Sequence, residues 1–232
     1  MQPNRFNPFR QIHKGLRALL YDTSLRLQQA DFEQEEKPLM AIKQVQLSLM
    51  LFDGHAEVED HMILPLIHRY NPALIESFNA EHQEDERLAK EICESVTRWL
   101  EANTEVNKIR AGDELLLRFN GFVAFNLAHM NREERELNPV LWAHYSDMEL
   151  HQLVQEIAAK VQPEKNQYYM QWMLRGNSPG EIAQWMNAVK RTAPQEVFEK
   201  LYILAAANLE EAEWQQVKDK LETGERVTFI QN

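Results

Sequence analysis

Apolar residues recur every three or four positions along most of the chain, the spacing of helices that bury one face. Asn7-Pro8 supplies a cap and a first helical residue, and Phe9, Ile12, Leu16, Leu19 and Leu20 follow the helical period, which predicts a first helix ending near Asp31. The polar run FEQEEKP (32–38) interrupts it. A second helix carries Leu47, Leu51, Phe52, Met62 and Leu66 as far as His68, and Arg69-Tyr70-Asn71-Pro72 turns the chain. A third covers about 73–102; a fourth runs from Asn103-Thr104 through Phe119, Phe122, Phe125 and Leu137 to about Tyr145. Such helices far exceed the usual 11 or 12 residues and have short links, which predicts an all-α fold with an antiparallel up-down-up-down four-helix bundle over residues 1–145.

Residues 146–232 read differently, as a C-terminal extension of short helices. Ser146-x-x-Glu149 and Ser178-Pro179-x-Glu181 are capping boxes, and Pro194 and the segment near Leu209 open two further helices. The one stretch with strand character is 226–230. Tyr169, Trp172, Met173, Trp185, Met186, Phe198, Tyr202 and Trp214 form an apolar stripe suited to core packing or a homodimer contact.

Composition narrows the partners. A formal charge of −11 disfavours nucleic acid and anionic membrane surfaces, which need basic stripes. The single cysteine, Cys93, excludes an internal disulfide framework; it follows the stripe of His82 and is expected as a buried, inert thiol. No long apolar run and no signal-type N-terminus occur, so the expectation is a soluble, cytoplasmic protein without membrane contact.

One frame is written twice, 74 residues apart: HAEVEDHMILP (55–65) and HMNREERELNP (129–139), His-x3-Glu-x5-Pro. His and Glu four residues apart lie about 40° apart on one helix face, so both reach one centre. His82 and Glu86 have the same spacing. Height in the bundle is the stronger test, because residues at one level sit equally far from the turn joining their helices. His13 and the His55/Glu59 pair are centred near residue 35, that pair and His82 near 70, and His82 and the His129/Glu133 pair near 106. All three midpoints fall on the turns. One slice of the bundle thus gathers four imidazoles and at least two carboxylates, on faces that also carry Leu51, Phe52, Phe78, Phe122 and Phe125. Buried carboxylates are costly unless paired or metal-bound, and this thiolate-free donor set suits iron before manganese or zinc, as a dinuclear site. His61, His68, His144 and His151 fall off this face or level and read as surface or structural residues. Pro65 and Pro139 are expected to bend their helices and free the carbonyls of His61 and Arg135.

The set His13, His55-x3-Glu59, His82 and His129-x3-Glu133 resembles the hemerythrin (HHE) superfamily over roughly residues 8–145. The resemblance implies a four-helix bundle with a non-haem di-iron centre, oxo- or hydroxo-bridged, with Glu59 and Glu133 bridging. Oxygen carriers of that family have His-x3-His on the third helix and His-x4-Asp on the fourth. This chain is closer to the four-His, two-Glu members associated with iron-sulfur cluster repair and nitric-oxide stress. Glu86 stands where the carriers have His, as a further ligand or a solvated helix residue.

Three function classes follow. The first is a di-iron protein that binds a diatomic ligand, O2 or NO, for sensing, storage or stress response. The second is an enzyme or iron donor using the same centre on peroxide, NO or a damaged cluster. The third is a metal-free helical interaction module.

Overall fold

The computed structural model describes residues 5–34 and 36–222. Its elements are α1 (Arg10–Gln28), α2 (Glu36–Val58), a π-turn (Glu59–Ile63), α3 (Leu64–His68), α4 (Pro72–Glu101), α5 (Glu105–His144), α6 (Asp147–Lys160), α7 (Pro163–Gly176), α8 (Pro179–Thr192), α9 (Gln195–Asn208) and α10 (Glu211–Glu222). No strand occurs among the described residues; the segment 226–230 lies outside them. No described helix is long and apolar enough to cross a membrane.

The capping chemistry behaves as the sequence predicts. Asn7 Oδ1 accepts from the N–H groups of Phe9 and Arg10, Asn71 from Leu74, and the Thr104 hydroxyl from Asn107. Each supplies an acceptor that the first turn of a helix lacks. Both capping boxes form: Ser146 with Glu149, and Ser178 with Glu181.

The two prolines of the repeated frame have different consequences. Before Pro65, the Leu64 N–H reaches back five residues to the Glu59 carbonyl, which is the π-turn. Such a turn takes up one extra residue and is frequent at functional sites. Pro139 instead lies inside α5, which continues as α-helix to His144.

Packing divides the chain into two units: Met1–Ala18 with Val161–Asn232, and Leu19–Lys160. α6 counts with the second unit and the first half of α1 with the first. In the second unit α4 packs along α5 and against α2 and α3. Phe52 meets Phe122 edge to face, and Phe32 meets Trp99. The buried hydroxyls of Thr23 and Ser48 bond to each other at 3.1 Å.

In the first unit Leu174, Ile182, Ala183, Met186, Leu201, Ala205, Trp214 and Val217 form the core. Tyr169 and Trp172 of the expected stripe are also buried, while Tyr202 stays exposed. Gly15 lies where α1 crosses α7: a Cβ there would stand 2.8 Å from the Met173 backbone nitrogen. Gly15→Ala should therefore destabilise the protein by about 1–3 kcal/mol, since backbone cannot swing aside. Gly121→Ala, with nothing within 4 Å of the added methyl, should stabilise by about 1 kcal/mol. Thermal unfolding of both variants checks this, and shifts of the same sign would contradict it.

Candidate metal centre

α4 shows how the stripe chooses which residues face inward. Phe78, Asp85, Ile92 and Trp99 repeat every seven residues and are all buried, with Ile75, His82 and Val96 between them. At 100° per residue the mean of this stripe lies about 40° to the Asp85 side of His82. Glu86 then points about 80° away from it, and is exposed. The structure does not bring Glu86 to the cluster; Asp85 turns inward instead, held by Asn126 Nδ2 at 2.6 Å.

The same drift of about 20° per heptad carries the stripe away from Cys93. Cys93 is exposed, contrary to the buried thiol expected from its spacing to His82. His61, His68, His144 and His151 are exposed, as expected, and His144 stacks on Tyr70 at 3.5 Å.

Within the second unit, ligand atoms of Glu59, His82, His129 and Glu133 all lie within 4.8 Å of one another, and every one of these residues is buried. His55, Glu59 and Glu133 meet the same criterion, so both carboxylates belong to two groupings. His55 Nε2 is 3.2 Å from Glu59 Oε1, and His129 Nε2 is 3.1 Å from Glu133 Oε1. His82 Nε2 is 3.6 Å from Glu59 Oε2 and makes no hydrogen bond although buried. His13 is wholly buried on the first half of α1, its ring 5.3 Å from that of Phe9.

These donors fit a divalent cation. Two donors of one ion stand at most roughly 4.2 Å apart, and the separations of 3.2, 3.6 and 3.1 Å for His55–Glu59, His82–Glu59 and His129–Glu133 fall inside that reach. The outer nitrogens agree: His82 Nδ1 is bonded to Asp60 Oδ1 at 2.7 Å and His129 Nδ1 to Glu81 Oε2 at 2.6 Å. A carboxylate accepting from Nδ1–H leaves the Nε2 lone pair for a metal. Asp60, Glu81, Asp85 and Asn126 were not among the sequence candidates. Asp60 and Glu81 lie beside Glu59 and His82 in the chain, but adjacency puts them about 100° around the helix, so no periodicity marks them.

Charge without metal follows the carboxylates. Burial pulls His82 and His129 down, but Glu59 and Asp60 outweigh it for His82, raising it to about 9, and Glu133, Glu59 and Glu81 raise His129 to about 10. Burial pushes the Asp85 carboxyl up, against the pull of Asn126, His129 and His82. Because both imidazoles hold protons more tightly than the ordinary value of about 6.5, their contribution to metal-free stability is full below that pH and fades as pH rises through about 9 and about 10. A metal must displace those protons. Loading near pH 7 should release about two protons per chain from His82 and His129, falling toward none above pH 10, in an unbuffered pH-stat titration. Release that does not vary with pH would contradict the assignment.

The cluster encloses a cavity of about 10 Å³, lined by His55, Glu59, His82 and His129 themselves together with Phe52, Ala56, Asp85, Asn126 and Met130. That is room for about one water.

Among the described residues, fold and site together define a helical protein with a buried His/Glu cluster that could hold a cation. The family model described as hemerythrin HHE cation binding domain matches residues 6–141, more than half of the chain, which therefore belongs to that family. The comparisons with curated proteins and with solved structures returned no match.

Proposed function

We propose that the chain holds two iron ions and binds a diatomic ligand, O2 or NO, at them. The observation that carries this reading is the sharing of Glu59 and Glu133 between two groupings of donors, the placement bridging carboxylates need. His82 and His129 serve one side and His55 the other. His13 joins His55 on the strength of its level in the sequence and its inclusion in the matched span. The four long helices run up-down-up-down in this reading, with residues 146–232 as an extension of the metal-binding portion, in a cytoplasmic protein.

Ferrous iron held by neutral imidazoles and carboxylates supplies electron density to a small ligand. The protein's own part is to hold the Nε2 lone pairs of His82 and His129 inward through Asp60 and Glu81.

The test is iron content per chain on protein purified without chelator, with near-ultraviolet and visible absorption, followed by anaerobic titration with NO and then O2. Two irons per chain and a saturable, reversible spectral change support ligand binding. Continuous consumption of the gas would move the assignment to an enzyme. No iron, even after ferrous loading, would defeat the reading.

A further inference from the structure

The two imidazoles grouped with Glu59 and Glu133, His82 and His129, are held from behind by unequal devices. His129 Nδ1 donates to Glu81, and the other oxygen of Glu81 takes a hydrogen bond from Arg132 Nη1. Arg132 is itself fixed, donating to Ser77 Oγ at 2.8 Å and to Glu136 Oε1 at 3.0 Å, with its guanidinium over the Phe78 ring at 4.6 Å. Ser77 and Glu81 stand on α4, and His129, Arg132 and Glu136 on α5, so the network ties the two helices together at the ligand. Aromatic rings complete the seat: Phe125 lies nearly parallel to the His129 ring at 5.9 Å, and Phe78 meets it edge-on at 5.7 Å.

His82 has a different backing. Glu59 and Asp60 are consecutive residues at the start of the π-turn, and they flank opposite nitrogens of the same ring, Nε2 at 3.6 Å and Nδ1 at 2.7 Å. The Asp60 side chain is 41% exposed, against 24% for Glu81. A carboxylate in contact with water holds its partner less firmly than one braced by a guanidinium away from it.

Resting on the metal-binding reading above, we propose that Glu81 and Asp60 are positioning residues for the two ligand imidazoles and that they are unequal. The Arg132-braced Glu81 makes His129 the fixed ligand, and Asp60 on the π-turn makes His82 the ligand that yields. Metal leaves, or an incoming ligand gains space, by release of His82, while His129 and Glu133 stay in place.

The experiment uses the full chain loaded with zinc(II), a diamagnetic probe, and compares wild type with Glu81→Leu, Glu81→Gln, Asp60→Leu and Asp60→Asn. Two quantities are read: the Nδ1–H proton resonances of His129 and His82, and the rate at which zinc passes to excess chelator. Glu81→Leu should move the His129 resonance and speed zinc loss about 10–100-fold, the usual cost of removing such an outer partner. Glu81→Gln should largely restore retention, because its amide oxygen still accepts from Nδ1–H. Asp60→Leu should move the His82 resonance and speed zinc loss by a smaller factor. Should either leucine variant fail to fold, the near-isosteric Glu81→Gln and Asp60→Asn pair decides through the same two resonances. Unmoved resonances in all variants, or faster loss from Asp60 than from Glu81 variants, would overturn this inference alone. A wild-type chain that takes up neither zinc nor ferrous iron would overturn the metal reading with it.

Discussion

His129→Ala should strip the chain of one bound ion or weaken its retention by more than about 100-fold, beyond the 10–100-fold typical of losing only an outer hydrogen-bond partner. The reason is local. His129 Nε2 lies 3.1 Å from Glu133 Oε1, Glu133 is wholly buried, and the ring is fixed by Glu81 and two phenylalanines. Removing the imidazole takes away a donor and leaves Glu133 and Glu81 each without a partner they now have. His68→Ala is the matched control: it is exposed at the end of α3, and its loss should leave metal content unchanged. Elemental analysis of both variants, with circular dichroism to confirm helicity, checks the pair. Equal metal content in the two would count heavily against the ligand set.

The second large effect is on stability. A cation that binds the folded chain and not the unfolded one stabilises by about 4 kcal/mol at a free concentration 1,000 times its dissociation constant. For a chain of this size that corresponds to a rise of roughly 8–16 °C in Tm. Chelation should reverse it. The gap should widen as pH rises from about 7 toward 10, because the metal-free fold then loses the imidazolium contacts of His82 and His129 while the metal meets less competition from protons. Scanning calorimetry with and without ferrous ion, in anaerobic buffer, measures this directly. A Tm indifferent to metal and chelator would favour a metal-free helical interaction module.

Much of the architecture was legible in the order of residues because helices and their ends are local. The turns expected at 32–38, 69–72 and 103–104 fall at the junctions of α1 with α2, α3 with α4, and α4 with α5, although α2 already begins at Glu36 and α4 at Pro72. That Glu59 and Glu133 lie beside His55 and His129 was legible because a spacing of four on a helix is geometry, independent of what packs around it. Facing direction was less secure. His82/Glu86 shares that spacing, yet Glu86 is exposed and Asp85 buried, because a seven-residue stripe drifts around a helix of 3.6 residues per turn. Cys93 went astray for the same reason.

What the sequence by itself determined was the set of helices, their turns, and which imidazoles and carboxylates could share one level, all consequences of periodicity and capping within a few residues. What only the tertiary structure decided were the partners behind the buried imidazoles. Asp60 reaches His82 across 22 residues of sequence, Glu81 reaches His129 across 48, and Arg132 reaches Ser77 across 55. Such contacts have no period, since they depend on how two helix faces meet. The π-turn before Pro65, beside an α-helix that accepts Pro139 in the same frame, was decided there too. An identical local pattern can take either form, and the packing around each helix selects between them.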